Sequence, residues 1–127
     1  MKSLNKINAI AEFKTLTKEL LLLYLAANDF GSFSVWICRY NKEKQLIETK
    51  RFTAEQEEQL FEYMRSKGVS KEAFWQLYNS KIMLYFHTAE RLRLDAGICH
   101  EILDSNVNTL TFMDGSTVTE CSECVIG

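Results

Sequence analysis

The sequence predicts an α+β fold: a single domain over residues 1–127 in which a mainly antiparallel sheet of about five strands packs against a long N-terminal helix and two or three shorter helices. Three observations carry this expectation. Apolar side chains recur at helical spacing through residues 4 to 27, Thr53 to Gln56 spell a helix-capping box, and Thr109 to Cys121 alternate about Asp114-Gly115 as a hairpin does. Hairpins interleaved with helices point to antiparallel pairing.

The first helix rests on Ile7, Ile10, Phe13, Leu16, Leu20, Leu23, Tyr24 and Ala27, with Lys6, Lys14 and Lys18 on another side. Its last two turns are apolar all round. That suits a helix covered on several sides, by its own domain or by a second copy meeting it through Leu20, Leu23 and Tyr24 in a homodimer. Asn28-Asp29-Phe30-Gly31 ends it with turn formers, and Phe33 to Tyr40 follows as a central strand, apolar on both faces. Asn41 to Lys44 make a polar turn, and Gln45 to Phe52, richer in charge, reads as an edge strand.

Thr53 opens the next helix, which turns Leu60, Phe61 and Met64 inward, gathers acids in its first turn and Arg65 and Lys67 in its last, and stops at Gly68. Ser70 caps a shorter helix carrying Phe74, Trp75, Leu77 and Tyr78. The apolar run Lys81 to His87 reads as another central strand, and residues 89 to 104 suit a helix that Gly97 divides. In the hairpin, a three-residue loop Met113-Asp114-Gly115 sets Leu110 against Val118 and Phe112 against Ser116, with Thr111 against Thr117 and Thr109 against Thr119. That register separates an apolar face from a threonine face, whereas a two-residue loop mixes them.

At 127 residues and 46% apolar content the chain suits one core, and with no proline and no Gly/Ser-rich stretch it offers no linker. Residues 20 to 27 are the longest apolar run, far short of the ~20 residues of a membrane span. Nineteen residues that include Glu12 and Glu19 precede the run, unlike a short basic signal region, so a cytoplasmic protein with reduced thiols is expected. The net charge of −2 hides an asymmetry. Residues 1 to 52 carry nine Lys/Arg against five Asp/Glu, and residues 53 to 127 six against twelve. Without a broad basic surface, general nucleic-acid binding is not expected.

Reactive residue types gather near the C-terminus. Cys99, His100, Cys121 and Cys124 are a soft donor set that would suit zinc, with Cys121-Ser-Glu-Cys124 as the clamp. Against this, adjacent Cys99 and His100 diverge in either a helix or a strand. His100-Glu101-Ile102-Leu103-Asp104 has half of a metalloprotease motif, with Asp104 in place of the second histidine; His100 and Asp104 read as an ordinary helical i, i+4 pair. Cys121 follows a strand beside Glu120 and Glu123, which raise a thiol's pKa and disfavour redox catalysis. Cys38 and His87, both on expected strands, are the nearest approach to a thiol-imidazole hydrolase.

Trp36, Arg39 and Tyr40 interleave aromatic and basic groups, which a packed central strand explains as well as a nucleic-acid platform does. Glu55, Glu57, Glu58 and Glu62 form the densest acidic face and the expected contact for a basic protein partner. The function expected is therefore a small non-enzymatic binding or regulatory protein acting through its surface, including an inhibitor that presents that acidic face. A zinc module using the C-terminal cysteines, or an enzyme with a Cys/His site, are the alternatives.

Overall fold

The computed structural model describes residues 9–27, 33–87, 102–105, 109–112 and 114–120. Seven strands form two antiparallel sheets. The first is a meander of β1 (Ala11–Lys14), β2 (Leu20–Ala27), β3 (Phe33–Tyr40) and β4 (Leu46–Phe52), in that spatial order. The second joins β5 (Ile102–Ser105), β6 (Thr109–Phe112) and β7 (Thr117–Thr119). Two helical rods complete the described chain. A 3-10 turn, Ala54–Gln56, leads into α1 (Glu57–Ser66); then α2 (Lys71–Leu77), a π-helical turn Tyr78–Ile82 and α3 (Met83–His87) run on without a break.

The meander is the middle layer. From one face Leu21, Leu23, Leu25, Val35, Ile37 and Phe52 pack against Leu60, Met64, Phe74, Tyr78, Ile82 and Tyr85 of the helices. From the other, Leu22, Tyr24, Trp36, Cys38 and Tyr40 pack against Leu110, Phe112 and Val118 of the second sheet.

This arrangement overturns the expected single sheet of about five strands, which is two separate sheets, and the expected long N-terminal helix. Residues 11–14 and 20–27 are strands, paired Ala11 to Leu23 and Lys14 to Leu20 about a turn in which Thr15 Oγ1 accepts from the backbone N–H of Thr17 and Glu19. The Leu20–Ala27 run is apolar all round because helices cover one face and a second sheet the other; Leu21 through Ala26 are each 1% exposed or less. A strand buried on both sides reads as an unbroken apolar run, and leucine's helical preference yields to that burial. Leu23 and Tyr24 lie in the chain's own core, so they offer no seam for a homodimer.

The expected strand at 81–87 is also overturned, because the helix capped by Ser70 continues through it. Phe74, Tyr78, Ile82 and Phe86 are buried at steps of four. In a regular helix each such step drifts by about 40° around the axis. The wider π turn at Tyr78–Ile82 takes up that drift and keeps the four on the sheet. Of the helix expected at 89–104, Ile102–Ser105 is instead strand β5, and residues 88–101 lie outside the described residues.

Other expectations match. Phe33–Tyr40 is a central strand and β4 an edge of the meander. Gln56 Oε1 accepts from the Thr53 backbone N–H at 2.9 Å, and Ser70 Oγ from that of Ala73 at 3.0 Å. Gly68 ends α1 at φ 83°. Leu110 opposes Val118 and Thr111 opposes Thr117, the register of the three-residue loop, and Leu110, Phe112 and Val118 are the buried face.

Candidate functional site

Two groups of side chains at the helix-covered face could carry function. The first is a charged cluster at the end of that face. Arg39 follows Val35 and Ile37 at strand spacing, so its guanidinium enters the helix side and needs partners there. Its Nη1 meets Glu19 Oε1 at 2.6 Å and its Nε meets Glu48 Oε1 at 3.1 Å. Glu48 reaches this face because a bulge skips Ile47: Tyr40 pairs with Leu46 and Arg39 with Glu48. Tyr63 donates to Glu48 Oε1 at 2.6 Å, and Lys67 Nζ lies 3.9 Å from the same oxygen and 5.2 Å above the Tyr63 ring.

Burial, and then the hydrogen bond to the Glu48 carboxylate, raise the pKa of Tyr63. Beside the cluster lies a cleft of ≈ 390 Å³ lined by Thr15, Thr17 and Ser66 together with Glu19, Arg39 and Lys67. The two carboxylates offset the two cations. The cluster therefore works as a clamp, tying the β1–β2 turn and β4 to the end of α1, where the Leu16 N–H also donates to the Lys67 carbonyl at 3.3 Å.

The second group is a cleft of ≈ 370 Å³ between α1 and α2. Met64, Val69 and Phe74, all buried, form its floor. Phe61 and Trp75 wall it, and Glu62, Arg65 and Lys71 stand exposed at its rim. Trp75 is 46% exposed, yet it is held in place by stacking on Tyr78, with centroids 5.6 Å apart and planes within 17°. Phe61 closes the stack, 4.8 Å from Tyr78 and 5.7 Å from Trp75, and meets Phe74 edge-on at 5.4 Å. At the rim, Arg65 chelates Glu62, with Nη2 at 2.6 and 2.5 Å from its two oxygens, and this holds the Glu62 carboxyl below its usual range. Lys71 makes no ion pair with a described residue.

The expected site residues fall in three places. Glu55, in the 3-10 turn, and Glu58 and Glu62, on α1, are exposed, Glu57 is half-buried, and Arg65 offsets Glu62. Cys99, His100, Cys121 and Cys124 lie outside the described residues. Asp104 sits in strand β5, which removes the expected helical pairing with His100. The backbone places Cys38 and His87 in different layers. Cys38 belongs to the core between the two sheets, while Met83–His87 is in the helix layer on the opposite face. Burial pushes the Cys38 thiol up to about 12, out of the range of a working nucleophile.

The sequence carried signals for both groups. Arg39 in step with Val35 and Ile37 marks a charge that must be paired, and Phe74-Trp75 adjacent on one helix cannot both point inward. No family model, curated protein or solved structure matches the chain.

Proposed function

We propose that this chain is a small non-enzymatic binding or regulatory protein of the cytoplasm, and that it grips a protein partner through the cleft between α1 and α2. The observation that carries this reading is Trp75: a large aromatic ring, half exposed, stacked rigidly on Tyr78 beside a floor of Met64, Val69 and Phe74. Rigid, half-buried tryptophans at apolar clefts are typical anchors of interfaces, because they supply contact area with little side-chain entropy left to lose. Met83 and Leu84, further along the same helical rod, are also exposed, at 36% and 43%.

Cys38 is sealed between sheets, and Arg39, Glu19, Glu48 and Tyr63 satisfy one another. Among the described residues no helix is long and apolar enough to cross a membrane. Glu55 and Glu58 remain a second contact for a basic partner, though they offer charge without a concave apolar seat.

A photo-crosslinking residue placed at exposed Gln76, next to Trp75, tests the reading in cells that make the protein. A discrete adduct that disappears in Trp75→Ala is expected. A pattern indistinguishable from that of a crosslinker at Glu43, in the β3–β4 turn, would overturn it.

A further inference from the structure

We infer that the partner segment seated in the α1–α2 cleft is acidic, with an aromatic or branched apolar side chain as its anchor flanked by Asp or Glu. This rests on the cleft being an interaction site and adds the chemistry of what enters it. Volume and lining define the anchor. At ≈ 370 Å³ the cleft is at the small end of the ~300–1,000 Å³ of ligand sites, room for one or two side chains rather than a large cofactor. Its floor is Met64, Val69 and Phe74, each at most 9% exposed, which rewards an apolar group and offers no polar handle.

Charge defines the flanks. Glu62 is the sole acid on the lining, and Arg65 already holds both its oxygens. Lys71 is left as an exposed ammonium with no ionic partner among the described residues, so the rim carries one uncompensated positive charge. Arg65 engages Glu62 through Nε and Nη2, which leaves Nη1 with no described acceptor. An acidic segment meets Lys71 and Arg65 Nη1, while a basic one meets Lys71 as like charge.

Three labelled octapeptides test this on the full chain by fluorescence anisotropy: Phe-Leu flanked by acids, Phe-Leu flanked by lysines, and Ser-Ser flanked by acids. The acidic Phe-Leu peptide should bind at least about ten-fold more tightly than either control, and its advantage over the lysine-flanked peptide alone should narrow in high salt. Lys71→Glu should reverse the preference towards the lysine-flanked peptide. Its acid falls in the first turn of α2, where negative charge suits the helix, so the variant stays folded by circular dichroism. Trp75→Ala should weaken binding about ten-fold or more while the variant remains folded by circular dichroism, with some loss of melting temperature from the broken stack.

Equal or tighter binding of the lysine-flanked peptide, or no binding of any of the three, overturns the inference. If the Trp75-dependent adduct at Gln76 persists in that case, the interaction reading stands and only the acidic partner falls. A dimer by light scattering that Trp75→Ala turns into a monomer would assign the cleft to a second copy and likewise overturn the inference.

Discussion

Gly68 and Gly115 both hold positive φ, 83° and 89°, and their surroundings differ. A Cβ on Gly68 would run into the side chain of Leu16, which lies over the end of α1, whereas a Cβ on Gly115 meets nothing within 4 Å. Alanine at either site meets the left-handed penalty of ~1–2 kcal/mol. Gly68→Ala should therefore lower the melting temperature by several degrees and clearly more than Gly115→Ala. Adding Leu16→Ala, at a position 82% exposed, should bring the double variant back to the Gly115→Ala level in thermal melts. Equal effects of the two glycine changes would show that Leu16 does not fix the turn. Gly68 was legible as a stop signal, because glycine after a periodic helix is the usual ending. Its contact with Leu16 was not, since the two residues come together only when the β1–β2 turn meets the end of α1.

β2 shows how one run of residues can satisfy two patterns. Leu20, Leu23, Tyr24 and Ala27 fit a helix, and the same eight residues form a central strand. Nothing local decides between them, because with apolar groups at every position neither period of 3.6 nor period of 2 stands out. The structure makes a distinguishing prediction. Leu22 and Leu23 point to opposite faces and are both 0% exposed, Leu22 against the second sheet and Leu23 against the helices. Each truncation to alanine should cost ~2–5 kcal/mol in denaturant melts, with neither site tolerant. A marked difference between them would mean that one layer is not packed as described. The opposite error occurred at Lys81 to His87, where a short apolar run between helices looked like a buried strand. Met83 and Leu84 are in fact exposed, and the run belongs to the rod that Ser70 starts. The hairpin at 109–119 was legible down to its register, because its alternation is strict and Asp114-Gly115 fixes the turn.

Across the whole molecule, the layered core buries several groups that must stay protonated. Tyr24 and Tyr40, each 1% exposed, and Cys38 at 0% lie together between the sheets; burial raises all three pKa values, with Cys38 reaching about 12. A group whose pKa is higher in the folded chain keeps its proton there while the unfolded chain releases it, so stability falls as pH rises above the unfolded pKa. The loss begins near pH 9 with Cys38 and adds the tyrosines from pH 10, their ordinary values. With all three engaged, the slope approaches ~4 kcal/mol per pH unit. Since total stability is ~5–15 kcal/mol, unfolding should complete between about two and five units above pH 9. Denaturant melts followed by circular dichroism across an alkaline titration check this, and a stability unchanged between pH 9 and pH 12 would show that these groups are not sealed.

Whatever is settled within a few residues can be read along the chain: the Thr53 and Ser70 caps, the stop at Gly68, the central strand at Phe33–Tyr40, and the hairpin with its face of Leu110, Phe112 and Val118. It takes the packed layers to make Leu20–Ala27 a strand and Lys81–His87 helical, and to bring Arg39, Glu48 and Tyr63 into one cluster while Phe61 and Trp75 wall a cleft. The physical reason is common to all of these. A cap or a turn closes through bonds between near neighbours, whereas the state of an evenly apolar run depends on how many of its sides other layers will cover.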